Sequence, residues 1–288
     1  MKHVLLIDGM ALLFRSFFAT AVSNQFMYNH NGTPTNGVQG FIKHTLTAAE
    51  IIKPTHVAIC WDMGKDTFRN EEFSLYKANR NAPPEELIPQ FDLVKEVADH
   101  LSFHNIGVKG YEADDCIGTI AKMETDSKVS IVSGDKDLLQ LLAPNVDVWL
   151  IKKGFGTYET YNLDRFLSEY EITPKQFIDV KGLMGDTSDG YPGVKGIGEK
   201  TAFKLIKEFG SIEGILENID RLTPGQRNKI TQDQEMLHLS RKLAEIHCEV
   251  PLDNPTIKDW NGLPDHAISV VDQFGLRSVK KYMEQKII

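Results

Sequence analysis

The chain has 288 residues, with 32 Lys+Arg against 40 Asp+Glu, a formal charge of −8 and a pI near 5.6. Hydrophobic residues make up 41% and charged ones 25%, enough apolar material for a core, which excludes wholesale disorder. No run of about 18 uncharged apolar residues occurs, and Asp8 and Arg15 interrupt the apolar N-terminal stretch, so neither a membrane span nor a secretory signal is expected. Cys60, Cys116 and Cys248 fit neither a disulfide framework nor a zinc cluster and point to a reducing cytosol. An acidic balance argues at first sight against a nucleic-acid ligand.

In chain order, β-branched and apolar segments at 3–8, 56–62, 128–133 and 146–151 are each followed by a helical pattern. That alternation predicts an α/β fold with a mostly parallel central sheet. The stretch 63–90 breaks the rhythm: it is charged, punctuated by Pro83, Pro84 and Pro89, and too long for an ordinary connection, so it reads as a functional or mobile insertion. From Asn162 strand signals stop and helical patterns succeed one another. A sheet domain over 1–161 and a helical region over 162–288, sharing an interface, are expected.

The carboxylates fall at one topological position. The segment VLLID ends in Asp8 and VAICWD in Asp62, GVKGYEADD delivers Glu112, Asp114 and Asp115, and VSIVSGDKD delivers Asp135 and Asp137. In an open parallel sheet, ligands bind at the carboxyl ends of the strands, so these groups should converge on one edge. GDTSD adds Asp186 and Asp189. Any one such acid is more often a helix N-cap, and Asp137 ahead of Leu138 suits that role. Capping alone does not require four recurrences at one edge. Nine carboxylates in one crevice raise each other's pKa values unless cations neutralise them, and hard divalent ions, magnesium or manganese, are the natural remedy. No histidines accompany these acids, which disfavours a transition-metal site.

Gly193, Gly196 and Gly198 precede an amphipathic helical pattern. The spacing approaches a nucleoside-triphosphate loop, but Glu199 separates Gly198 from Lys200 and no strand precedes it, so an ATPase reading is poor. The alternative is a helix-hairpin-helix type of turn that grips a nucleic-acid backbone, with Lys195, Lys200, Lys204 and Lys207 as phosphate partners. The insertion offers a second basic group, Arg69, Tyr76, Lys77 and Arg80, with aromatics interleaved. Arg15, one turn beyond Asp8, stands within reach of a phosphate held at the acids.

The ordered set VLLIDGMALLFR, CWDMGKDTFR, YKANR, GYEADD, VSGDKDLLQLL and GDTSDGYPGVKGIGEKTA closely resembles the 5′–3′ exonuclease domain of bacterial DNA polymerase I and its flap-endonuclease relatives, from about His3 to Leu222 and more weakly beyond. The resemblance implies a PIN-like domain, a helical arch over 63–90, and a helix-three-turn-helix near 183–210 that binds duplex DNA. It places Asp8, Asp62, Glu112, Asp114, Asp115, Asp135, Asp137, Asp186 and Asp189 as ligands of two magnesium or manganese ions. Lys77, Arg80 and Arg15 would be the catalytic cations, Arg69 and Tyr76 would contact DNA, and backbone carbonyls around Val194 and Ile197 would hold a potassium ion. Gly190 and Tyr191 stand where relatives more often carry Asn and an aliphatic residue. The expected activity is structure-specific cleavage near the 5′ end of branched or nicked DNA in primer removal and repair. The expected setting is a cytoplasmic, nucleoid-associated monomer working beside a DNA polymerase and a ligase. A non-catalytic DNA-structure binder and a PIN-type ribonuclease are the alternatives.

Overall fold

The computed structural model describes residues 2–253 and 256–286. One sheet holds six strands, β1 (His3–Asp8), β2 (His56–Cys60), β3 (His104–Ile106), β4 (Lys128–Ser133), β5 (Val146–Ile151) and β6 (Tyr158–Tyr161). Their order is β3-β2-β1-β4-β5-β6, parallel except for β6 against β5. Inward-facing residues alternate along each strand. Val4, Leu6, Ala58, Cys60, Val129 and Ile131 enter one core, while Leu5, Ile7, Val57, Ile59 and Val132 enter the other. A sheet buried on both faces is why these segments read as continuous apolar runs.

Helices α1 (Gly9–Ala21), α2 (Asn36–Ile52) and α4 (Gln90–His100) cover the second face. On the first face lie α5 (Ala113–Met123) and the helical region: α6 (Leu163–Tyr170), α7 (Pro174–Met184), α8 (Glu199–Phe209), α9 (Ile212–Glu217), α10 (Pro224–Gln232) and α11 (Gln234–Ala244). The last two helices, α12 (Ala267–Gln273) and α13 (Arg277–Lys286), leave that region and pack with α4 and α2 on the opposite face.

The chain steps outward from β1 through β2 to β3, then returns through α5 to β4 on the other side of β1. The strand order therefore reverses between β1 and β4, where open α/β sheets place their ligands. Registry Ile7↔Val132 and Asp8↔Cys60 brings Asp8, Asp62 and Asp135 to that point.

Two elements depart from the sequence reading. Strands β3 and β6 were not expected, the first because three residues give no period and the second because Tyr158–Tyr161 carries a polar sequence on the sheet edge. The insertion is helical only over α3 (Phe68–Glu72), closed by a capping box between Thr67 and Asn70, and then runs in turns towards Gln90. Pro83, Pro84 and Pro89 cannot donate the amides that a longer helix needs.

Candidate active site at the sheet switch point

Asp8 closes β1 and caps α1, accepting from the Ala11 amide at 2.9 Å and from the Ser133 hydroxyl at 2.6 Å. Burial pushes its pKa up to about 6 against these two bonds, with Asp62 and Asp135 adding to the rise. Asp62 accepts from the Ala113 amide at 2.6 Å, which sets the start of α5 and with it Glu112 and Asp114. Glu112, Asp114, Asp135, Asp137 and Asp189 line one small pocket together with Tyr76. Burial, then Asp135, lifts Asp137 to about 7, while Asp114 rises through burial and the charges of Asp8 and Asp135. Raised acids at one point mean that the fold collects negative charge faster than it neutralises it.

The protein supplies part of the missing charge. Lys77 donates to Glu112 at 2.6 Å, Arg80 to Asp189 at 2.7 Å, and the buried Lys181 bridges Asp137 at 2.7 Å and Asp186. Asp186 also accepts from the amides of Ser188 and Asp189 and from the Ser188 hydroxyl. Burial opposes its ionisation, but Lys181 and Ser188 outweigh it and hold the carboxyl down at about 2. Among the described residues no three carboxylates close on one point as a ready-made ion shell. Yet the donors are oxygens throughout, several are held back from ionising by burial and then by one another, and the buried Tyr191 hydroxyl lies in their field with no hydrogen-bond partner among the described residues. That set suits a hard divalent ion.

Four residues stand elsewhere than their expected roles require. Asp115 is fully buried and both its oxygens are engaged, by Arg69 at 2.8 Å on each and by the amides of Glu112 and His247, so it has no lone pair turned to the crevice. Arg69 is only 2% exposed and also donates to the Leu243 and Glu245 carbonyls, which removes it from any DNA surface. Tyr76 is buried at 3% exposure with its hydroxyl on Glu112 and Asp189, not on the outside of the arch. Arg15 donates to the Lys152 carbonyl at the β5–β6 turn and makes no ion pair among the described residues with the acids.

Two family models match in succession, the N-terminal resolvase-like domain of 5′–3′ exonucleases over residues 3–171 and their C-terminal SAM fold over 172–262. The chain belongs to the 5′–3′ exonuclease family. It is a nuclease, 59% identical over 287 residues to a 5′–3′ exonuclease of Bacillus subtilis, covering 99% of this chain and 97% of that protein. DNA polymerase I of Lactococcus lactis is 42% identical over 88% of this chain, which spans 29% of the polymerase. Among solved structures, T5 5′-exonuclease with bound zinc superposes with a TM-score of 0.69 at 22% identity, covering 99% of this chain and 98% of the other. The catalytic core of Rad2 in complex with DNA substrate gives 0.65 at 16%, covering 100% and 91%. Both share the fold.

In this 5′–3′ exonuclease the glycine turn joins α7 to α8. Gly185 (φ 72°) and Gly193 (φ 62°) pass so close that a Cβ on Gly193 would lie 2.3 Å from the Gly185 nitrogen, so no other residue fits. The Val194 amide closes onto the Leu183 carbonyl at 2.9 Å, and the Val194 and Ile197 side chains are buried beneath. Gly198 is the N-cap of α8, and Lys195, Lys200 and Lys204 stand exposed without ion pairs among the described residues. Lys207 instead pairs with Glu171, and Lys229 donates to the Gly196 carbonyl at 2.9 Å, placing a cation of the protein at the turn. Lys181 and Ser133 were missed from the sequence. A lysine between Val180 and the apolar end of α7, four residues before Gly185, was the available signal.

Proposed function

We propose that this chain is a divalent-metal-dependent 5′–3′ exonuclease and flap endonuclease that hydrolyses phosphodiesters near the 5′ end of branched or nicked DNA. The observation that carries this reading is the acid pocket at the β1/β4 switch point, roofed by Tyr76, Lys77 and Arg80 of the insertion. Asp8, Asp62, Glu112, Asp114, Asp135, Asp137, Asp186 and Asp189 would hold two Mg²⁺ or Mn²⁺ ions, with Asp115 and Arg69 bracing the start of α5 from behind. Bound there, such ions lower the pKa of a water and stabilise a departing oxygen.

The chain's own cations then change partners. A phosphate entering beneath the arch competes with Glu112 for Lys77 and with Asp189 for Arg80, and each side chain then offsets charge on the scissile group. Lys181, buried between Asp137 and Asp186, holds both carboxylates in place, keeps Asp186 ionised and opposes the rise that burial and Asp135 impose on Asp137. Backbone amides of the glycine turn with Lys195, Lys200 and Lys204 hold duplex DNA without reading its bases. Support for divalent ions and for DNA comes from T5 5′-exonuclease, crystallised with zinc, and Rad2, crystallised with DNA substrate. A potassium ion at Val194 and Ile197 would share the turn carbonyls with Lys229. Hand-over to a polymerase is supported by relatives that carry the matching region inside DNA polymerase I. A ligase partner, and a role in primer removal and repair as a cytoplasmic, nucleoid-associated monomer, complete the proposal. Among the described residues no helix is long and apolar enough to cross a membrane.

The test is cleavage of a 5′-labelled flap duplex in magnesium, with unpaired RNA as comparison. Asp135→Ala and Asp186→Ala should each slow cutting by at least about 100-fold, and chelation should abolish it. Variants that cut as well as the parent contradict the two-ion assignment, and preference for RNA contradicts the substrate class.

A further inference from the structure

Tyr191 is not accounted for by the roles above. Its side chain is 1% exposed, and its hydroxyl lies in the interior with no hydrogen-bond partner among the described residues. Buried hydroxyls almost always find one. The charged groups whose fields reach it most strongly are Asp137, Asp186, Asp189 and Asp135, each of them an acceptor. Tyr76, its neighbour, shows the contrast: the rings stack with centroids 6.5 Å apart at 15°, yet the Tyr76 hydroxyl is satisfied by Glu112 and Asp189.

Nor is the ring free to turn away. The Tyr191 amide donates to the Asp186 carbonyl at 3.1 Å and its carbonyl accepts from the Asp186 amide at 2.8 Å, a two-way bridge that fixes the residue beside the acid it follows. The stack on Tyr76 and the packing of Leu243 and Ala244 in the same cluster hold the other side. A donor is thus fixed in the field of four acceptors without a hydrogen bond to any of them. A species that accepts from the phenol and donates to carboxylates would satisfy both. A water held by a cation does both, since its oxygen keeps a lone pair and its protons point outward.

We propose that Tyr191 is a positioning residue whose hydroxyl donates to an ion-held water between the Asp135–Asp137 and Asp186–Asp189 pairs. This rests on the ion-binding reading of the crevice. It makes the second acid group a site that binds a hydrated ion through one water anchored by a neutral donor, so the phenol contributes to ion affinity without adding charge.

Tyr191→Phe removes the oxygen and keeps the stack. Manganese binding to the full chain without DNA, followed by the paramagnetic resonance of the free ion, should weaken roughly fivefold, the effect of one lost hydrogen bond. The magnesium concentration for half-maximal flap cleavage should rise by a similar factor, with the rate at saturating magnesium restored. The metal-free melting temperature should hold or rise, because the lost hydroxyl bonded to nothing. A Phe variant that binds manganese like the parent overturns the proposal alone. So does one that melts lower without metal, since the hydroxyl would then have a protein partner. A parent that binds no manganese overturns the crevice reading as well.

Discussion

At the residue scale, Arg69 and Asp115 separate bracing from chemistry. Both lie in motifs that resemble the family's functional set, and in the fold they make a buried bidentate pair at the wall of the crevice, where Arg69 also lies 3.5 Å from Glu112. Removing one partner of a buried pair leaves an uncompensated charge, so Arg69→Met should lose about 3–5 kcal/mol in urea unfolding. The folded fraction of that variant should bind DNA as the parent does. Parent-like stability with weakened DNA binding would show Arg69 on the surface instead. The sequence distinguished acids from bases but not inward from outward. Arg69 and Lys77 sit eight residues apart in one charged segment, and only the third dimension shows that the first meets chiefly Asp115, with Glu112 at 3.5 Å, and the second Glu112. Lys181 was hidden for the same reason: its partners, Asp137 and Asp186, come from different elements.

The insertion and the loop after Asp189 work as one element. The Lys77 amide donates to the Asp189 carbonyl at 2.7 Å and the Asn79 amide group to the Thr187 carbonyl at 2.7 Å, so the arch is clamped to the loop that carries Asp186 and Asp189. Gly190 makes this approach possible: at φ 78° a Cβ would lie 2.9 Å from the Leu75 carbonyl oxygen. Gly190→Ala should therefore cost on the order of 1–2 kcal/mol in backbone conformation. It should also lower flap cleavage about tenfold or more by shifting Lys77 and Arg80. Undiminished cleavage would show that the clamp does not position the arch. Four of the six strands were legible, because runs buried on both faces announce themselves. Strand β3 was too short to show a period, β6 too polar, and the helical signal of the arch stopped at its prolines. The docking of α12 and α13 against α4 and α2 was not legible, since amphipathicity declares that a helix has a buried face and not which surface buries it.

For the molecule as a whole, the formal charge of −8 describes the crevice more than the surface. Setting the nine motif acids aside leaves +1, and the exposed Lys195, Lys200 and Lys204 stand clear of the pocket on the turn and on α8. Affinity for duplex DNA should fall linearly with the logarithm of salt concentration. Lys200→Ala with Lys204→Ala should reduce that slope by about 2, whatever the DNA sequence. An unchanged slope would move the binding face elsewhere. The central claim is that the switch-point carboxylates hold two ions. Anomalous diffraction from crystals of the parent grown in manganese tests it most directly. The account predicts two peaks among Asp8, Asp114, Asp135, Asp137, Asp186 and Asp189, with Asp115 still on Arg69. No peak there, or one coordinated by Asp115, would contradict it.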